Sequence, residues 1–418
     1  MGEIIRACVG VVVFLGLAWL ISENRRAFVL RPVLAGLAIQ IVLALALTRL
    51  PIITSALGGL AHGVDSVQSS ASAGATFVFG YLGGGPQPFV AAQGNPSTFI
   101  FGLQVLPAVL LVSALAALLW HWGVLRWIIR IAARSLGRVM GVSGPVGVSS
   151  AACIFLGMVE APLLVRPLLP KLSRGEMFII MVDGLSVIAG STMILLGTML
   201  APKMPDAFGH LLTASLISTP MAIVMARIIV PSDVVREWAT LPLENPYRSA
   251  LDAMTHGTIN AVKVAAYVIA MLIVFIGALA LIDKGLALVP TGGAPLSVSA
   301  IFGWLFAPVA WLMGVSVGDF QTVGALLGTK IAANEVVAYG NLLALPAGAL
   351  SAKSQLVVTY ALCSFGNFGS IAILIGTLSA MAPEKAEEVV QLGPKALIAA
   401  FLTTCMTGTV VGLLHSIF

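Results

Sequence analysis

Long apolar runs, punctuated by short polar clusters, set the plan of this chain. Eight of them, over residues 8–21, 33–50, 103–120, 177–200, 208–230, 259–282, 356–380 and 395–414, reach or approach the roughly 20 residues that an α-helix needs to cross a bilayer core. The short alternating segments of an outer-membrane barrel are absent. The pattern predicts an all-α polytopic membrane protein with eight transmembrane helices, an even number that puts both ends on one side. Arg25, Arg26 and Arg31 lie in the first loop, Arg126, Arg130, Arg134 and Arg138 follow the third run, and Arg166, Lys171 and Arg174 precede the fourth. Basic residues collect on the cytoplasmic side, so these loops should be cytoplasmic and both termini periplasmic. The connection over residues 51–100 is rich in Gly, Ser, Ala and Pro, with Asp65 its only acid. It is expected to be external, partly irregular and free of chemistry. The stretch RWIIRIAARSLGRVMGV spaces Arg126, Arg130, Arg134 and Arg138 four apart, against Trp127, Ile128, Ile131 and Leu136. Such a helical basic stripe should lie in the cytoplasmic interface plane.

Residues 142–172 and 321–350 fit no crossing. Each is broken by Gly, Pro or charge, and each sets a glutamate in apolar surroundings: Glu160 in AACIFLGMVEAPLLV, Glu335 in ANEVVAY. LSRGEMF and GSTMILLGTMLAP follow Glu160; LSAKSQL and GSIAILIGTLSAMAP follow Glu335, about 175 to 180 residues further along. Each unit holds three crossings plus a broken segment, and because three is odd the second unit must be inverted relative to the first. That inverted repeat predicts two re-entrant helical hairpins entering from opposite faces and meeting near the midplane, where irregular backbone lines a cavity. An intramembrane carboxylate is costly unless paired, solvated or protonated, so two of them at matching hairpin tips are candidate functional acids. The bland alternative is structural pairing, with Lys330, five positions before Glu335, as the obvious partner.

Composition agrees with this plan: the 418 residues are 59% hydrophobic and 9% charged, outside the range of soluble domains. The first run lacks a basic amino end and a small-residue cleavage site and is expected to be a retained span. The net charge of +5 comes mostly from loop arginines and lysines, and no basic domain with interleaved aromatics points to nucleic acid. Cys8, Cys153, Cys363 and Cys405 lack metal-ligand spacing and read as small hydrophobes. His62, His121, His210, His256 and His415 lie near span ends or in loops and form no cluster. No metal and no cofactor is therefore expected. Asp283, Lys284, Glu384, Lys385, Glu387 and Glu388 read as solvated loop charges, and Lys263 as a residue reaching the cytoplasmic interface. Glu160, Glu335 and Asp183 would be the acids and bases of an intramembrane enzyme, but HExxH, GxSxG, serine–lysine and paired-aspartate signatures are missing, so no enzymatic activity is expected.

Four motifs stand in order along the chain: GMVEAPLL from Gly157, GWLFAP from Gly303, ANEVVAY from Ala333 and ALCSFGNFGSIAI from Ala361. Together they resemble the concentrative nucleoside transporter family, in which Gly-Gln-Thr-Glu-Ala-Pro, Asn-Glu-x-x-Ala-Tyr and Phe-x-Asn-x-x-Ser-Ile-Ala runs are usual. The similarity covers residue 104 to the carboxyl end, and the first two spans match as hydrophobic segments. The resemblance implies a homotrimer, each protomer holding a nucleoside between its two hairpins and two partly unwound helices, with an elevator-like motion of a transport domain against a scaffold. By position it implies Glu335, Asn367 and Ser370 at the ribose hydroxyls, Phe365 and Thr192 along the nucleobase, and Glu160 at the base edge, directly or through water. A carboxylate and an amide both accept from vicinal hydroxyls, and a buried site with fixed partners rejects a sugar lacking one.

The departures from the family pattern bear on specificity and coupling. The usual Gln and Thr that read the base stand here as Met158 and Val159, which makes that end of the pocket more apolar. The Asn, Thr and Ser with which sodium-coupled relatives hold their ion correspond to Cys153, Val159 and Val187, so hard oxygen donors are lost and sodium coupling is disfavoured. Asp183 appears one turn before Val187, where the family is usually uncharged. A carboxylate withdrawn from water can bind and release a proton near neutral pH; an Asp at the cytoplasmic end of the span would merely snorkel or cap. The expectation is a nucleoside importer of a bacterial inner membrane, driven by proton symport, with Glu160, Glu335 and Asp183 as candidate proton carriers. A sodium-coupled nucleoside symporter, or a carrier for another hydroxylated solute, stays open beside it. The expected organisation is residues 1–102 as N-terminal helices and external loop and 103–230 as a first repeat of span, cytoplasmic interfacial helix, hairpin and two spans. A cytoplasmic loop (231–258) then leads to a second repeat (259–418) of span, external interfacial helix, hairpin and two spans.

Overall fold

A computed structural model describes residues 2–88, 100–231, 243–289 and 295–417. Its helices are α1 (Gly2–Leu20), α2 (Leu30–Arg49), α3 (Pro51–Phe79), α4 (Phe101–Gln104), α5 (Leu106–His121) and α6 (Val124–Met140). The first hairpin region follows as α7 (Gly144–Leu156) and α8 (Glu160–Leu163), then α9 (Arg174–Ser186), α10 (Gly190–Leu200) and α11 (Ala207–Ile229). After α12 (Ala250–Leu286) and α13 (Val298–Leu312) the same order recurs as α14 (Phe320–Ala332), α15 (Glu335–Ala344), α16 (Ala352–Leu362), α17 (Phe368–Met381) and α18 (Ala386–Ile417). Among the described residues no strand occurs, as expected where the backbone must satisfy its own hydrogen bonds in lipid. Seven helical stretches there are long and apolar enough to cross a membrane. The expected span over residues 356–380 is occupied by α16 and α17 in two pieces.

Several expectations are corrected. Much of the connection after residue 50 is helix: α3 runs for 29 residues, with a proline in its first turn, where the missing N–H costs nothing. Its alanines and serines are compatible with helix once the segment packs, and Gln68 accepts a hydrogen bond from Thr198 of α10 at 3.0 Å. Residues 89–99, the remainder of that connection, lie outside the described residues, as do residues 232–242 of the expected 231–258 loop, whose last part is already α12. Pro107 in the first turn of α5 separates it from α4. Helix α12 has 37 residues and extends well past its apolar core at both ends. Asp283 is not a solvated loop charge: it lies in α12 and accepts the Val298 backbone N–H at 2.7 Å, holding the start of α13. Glu387 and Glu388 belong to the first turn of α18, where acids suit the helix dipole.

Helix α6 carries its four arginines beside a buried column, Leu125, Ile129, Ala133, Gly137 and Met140, whereas Trp127 and Ile131 of the expected apolar face are exposed. Arg126 is not free for the interface; it donates to the carbonyls of Trp120 at 3.1 Å, His121 at 3.3 Å and Leu243 at 3.3 Å, closing the end of α5.

The core is built from α7, α9, α11 and α18. Every residue of α9 from Gly175 to Ser186 is buried, so its polarity cannot be that of a lipid-facing span. By contrast, the buried residues of α12 are Ala253, Gly257 and Ala261, which face α5. A Cβ on Gly257 would stand 2.6 Å from the Ser113 carbonyl, so glycine permits these two backbones to touch. On the side expected to be cytoplasmic, Glu23 in the α1–α2 loop accepts from Arg174 of α9 at 2.9 Å and Lys395 of α18 at 2.8 Å. The hydrogen bond from Arg174, reinforced by Lys395, holds its carboxyl down at about 2.

Candidate functional site

Two helix breaks and two hairpin tips converge. Helix α9 ends at Ser186 and α10 starts at Gly190; α16 ends at Leu362 and α17 starts at Phe368. The breaks touch: the Phe365 N–H donates to the Val187 carbonyl at 3.3 Å, a backbone bond between the two repeats. Each broken helix thereby exposes polar termini inside the protein, which is tolerated because another irregular segment faces it.

Hairpin 1 turns at Gly157, whose φ of 94° is open to glycine and strained for other residues. A Cβ there would lie 2.9 Å from the Ala189 side chain, and one on Gly190 would lie 3.1 Å from the Phe155 carbonyl. The tip is thus seated on the first break. Met158 is buried and Val159 half-buried beside it, and Glu160, also half-buried, heads α8. Thr192 lies half-buried in the first turn of α10, whose N-terminus has no side-chain cap.

Hairpin 2 turns between α14 and α15, with Asn334 capping α15 through the Val337 N–H at 2.9 Å. Glu335 is buried, and its Oε2 accepts from Asn367 Nδ2 at 3.2 Å. The other side of the same amide, Oδ1, accepts the Ser370 N–H at 2.8 Å and so caps α17. One asparagine therefore joins the hairpin acid to the helix behind the second break, and Glu335, Asn367 and Ser370 lie within one hydrogen-bonded group. Phe365 is half-buried in that break. Lys330 is not the partner of Glu335. Fully buried, it donates to the Ala361 carbonyl at 2.8 Å and to Thr404 Oγ1 at 3.0 Å, placing its ammonium at the C-terminal end of α16, where helix carbonyls favour a cation.

Asp183 neither snorkels nor caps. It is fully buried in α9, with Cys153 of hairpin 1 among its neighbours. Cys153 and Val187, at the positions where oxygen donors were expected of sodium-coupled relatives, are buried as well. Nothing in the chain's pattern singles out Ser150 or Thr219. Each is a polar residue at a position that only tertiary packing turns inward, and the sole signal was polarity inside an apolar run.

This geometry can be set beside known proteins. Three stretches match family descriptions: residues 9–82 the Na+ dependent nucleoside transporter N-terminus, 102–203 the nucleoside recognition "Gate", and 210–412 the Na+ dependent nucleoside transporter C-terminus. The nucleoside permease NupC of Helicobacter pylori is 32% identical over 97% of this chain and 96% of its own length. This chain belongs to the concentrative nucleoside transporter family. The sodium/nucleoside cotransporter 1 of Rattus norvegicus is likewise 32% identical over 97% of this chain, and over 63% of its own length. A solved structure of CNTnw in an inward-facing substrate-bound state superposes with a TM-score of 0.89 at 31% identity, covering 99% of both chains. This is a membrane transporter family and not a family of enzymes.

Proposed function

We propose that this protein imports nucleosides across the bacterial inner membrane by proton symport. The observation that carries the nucleoside reading is the Glu335–Asn367 bond between hairpin 2 and the second break. It leaves a carboxylate and an amide side by side, matched to the two vicinal hydroxyls of a ribose, with Ser370 next in line. Met158, Val159, Thr192 and Phe365 supply the largely apolar wall for a base, and Glu160 stands at its edge. A sugar lacking either hydroxyl leaves a buried acceptor unpaired and is rejected, which disfavours other hydroxylated solutes.

Proton coupling is supported by the thiol and two valines at Cys153, Val159 and Val187, a poor shell for Na+, and by carboxyls at Glu160, Glu335 and Asp183 that can carry a proton. The family description favours sodium, so the alternative has a definite basis. Residues 103–230 and 259–418 act as the two inverted repeats, moving elevator-fashion within a homotrimer. The basic residues of the first loop, α6 and the hairpin 1 return put those segments in the cytoplasm and both termini in the periplasm. The test is uptake of labelled uridine and adenosine into proteoliposomes, with pH and sodium gradients imposed separately. Accumulation on an inward proton gradient, collapsed by a protonophore, is expected. Accumulation on a sodium gradient at equal pH would replace this reading with sodium symport.

A further inference from the structure

Asp183 is fully buried, and neither carboxylate oxygen has a hydrogen-bond partner among the described residues. Its polar neighbours are two hydroxyls, Ser150 on α7 and Thr219 on α11. The Ser150 hydroxyl is itself unpartnered, as is that of Ser149 next to it. Thr219 makes a long bond to the Ser215 carbonyl at 3.3 Å. Among the described residues no cation compensates the acid. Of the helices packed on α9, α7 brings Cys153, with Glu160 beyond it in hairpin 1. Helix α11 carries His210, engaged with Tyr360 at 3.0 Å, and Arg227, bonded to the carbonyls of Met140 and Gly141. Between Lys395 and His415, α18 offers Cys405, and α17 has no titratable residue.

An ionised carboxylate in that place would be an isolated buried charge, among the least favourable arrangements a protein interior can hold. A protonated carboxyl is well suited to it: its O–H donates to one hydroxyl and its other oxygen accepts from the second. The two hydroxyls come from different parts of the fold, Ser150 from hairpin 1 and Thr219 from α11. We propose that Asp183, enclosed by Ser150 and Thr219, is the seat of the coupling proton, and that its occupancy decides whether hairpin 1 sits against α9. This rests on the proton-symport reading above and narrows it from three carboxyls to one. Glu335 is already engaged with Asn367 in the nucleoside site, whereas Asp183 has no hydrogen-bond partner among the described residues and its neighbour Gly184 packs on Met158 of hairpin 1.

The test compares the wild-type protein with D183N in proteoliposomes without sodium, using labelled uridine. With one proton per nucleoside, the wild type should accumulate about tenfold per unit of inward pH gradient. D183N should lose that accumulation yet still exchange internal for external uridine, at a rate indifferent to pH. Gradient-driven accumulation by D183N equal to wild type would overturn the assignment while leaving proton symport standing. A wild type driven by sodium and not by protons would overturn both. If D183N fails to exchange at all, T219V decides, because it keeps the acid and removes one hydroxyl: the midpoint of the pH dependence of uptake should move by about one unit. An unmoved midpoint in T219V would overturn the proposal.

Discussion

The two hairpins are counterparts in sequence order, yet they meet their helix breaks in opposite ways. Hairpin 2 is closed by directed bonds: Lys330 to Ala361 and Thr404 on one side, Glu335 to Asn367 on the other, with Asn334 and Asn367 capping the helices that follow. Hairpin 1 is seated by shape, Gly157 against Ala189 and Phe155 against Gly190, and the polar groups near it, Ser149, Ser150 and Asp183, lack partners among the described residues. Satisfied networks hold one geometry, whereas unsatisfied buried groups favour whatever ligand or proton completes them. Under the proposed function this contrast becomes a division of labour, with hairpin 2 fixing the sugar and hairpin 1 registering the base and the coupling ion.

The largest effect should come from breaking the closed side. E335Q replaces a carboxylate acceptor with an amide and weakens its bond to Asn367 and, on the proposed reading, to the ribose, a loss of about 1.5–3 kcal/mol, or about 10- to 150-fold in uridine uptake. Uptake at the wild-type rate would remove Glu335 from the site. K330M should be next. It leaves the Ala361 carbonyl without its donor, a cost of about 1–3 kcal/mol that is partly offset because a buried charge disappears. The expected result is a lower unfolding temperature in detergent; a higher one would mean that the ammonium does not hold the break.

The open side should respond more mildly. Placing Gln and Thr at Met158 and Val159 adds hydrogen-bonding groups at the base end, and the ranking of nucleosides in competition uptake should shift by about 3- to 10-fold. An unchanged ranking would assign base recognition to Glu160 and Thr192. The smallest effect is expected where the two repeats are tied together, at Glu23. Its folded value of about 2 lies below the unfolded value of about 4.3, so its contribution is present above the latter and is lost as pH falls through the former. E23Q should cost about 1 kcal/mol at neutral pH, after allowance for solvent screening, and the gap to wild type should close towards pH 2 in thermal unfolding.

Much of this molecule was legible as a sequence because the bilayer leaves few choices. Uninterrupted apolar length forces helix, and the repeat of landmarks from Glu160 and from Glu335 marks the two broken segments. The four motifs place Glu335, Asn367, Ser370 and Phe365 on neighbouring segments for the same reason, since short-range order along the chain survives folding. What hydropathy cannot report is which way a polar residue turns. Asp183, nine residues after Arg174, reads equally as an end-of-span acid or a buried one, and its full burial follows from α9 being enclosed by α7, α11 and α18. Lys330 stands five residues from Glu335, yet its ammonium reaches Ala361 and Thr404, residues 31 and 74 positions away. Residues 51–79 looked irregular because their glycines and serines interrupt the hydropathic pattern, yet they form the helix α3. Local composition determined the elements; the pairing of buried donors and acceptors, which depends on contacts between distant segments, was decided by the tertiary structure.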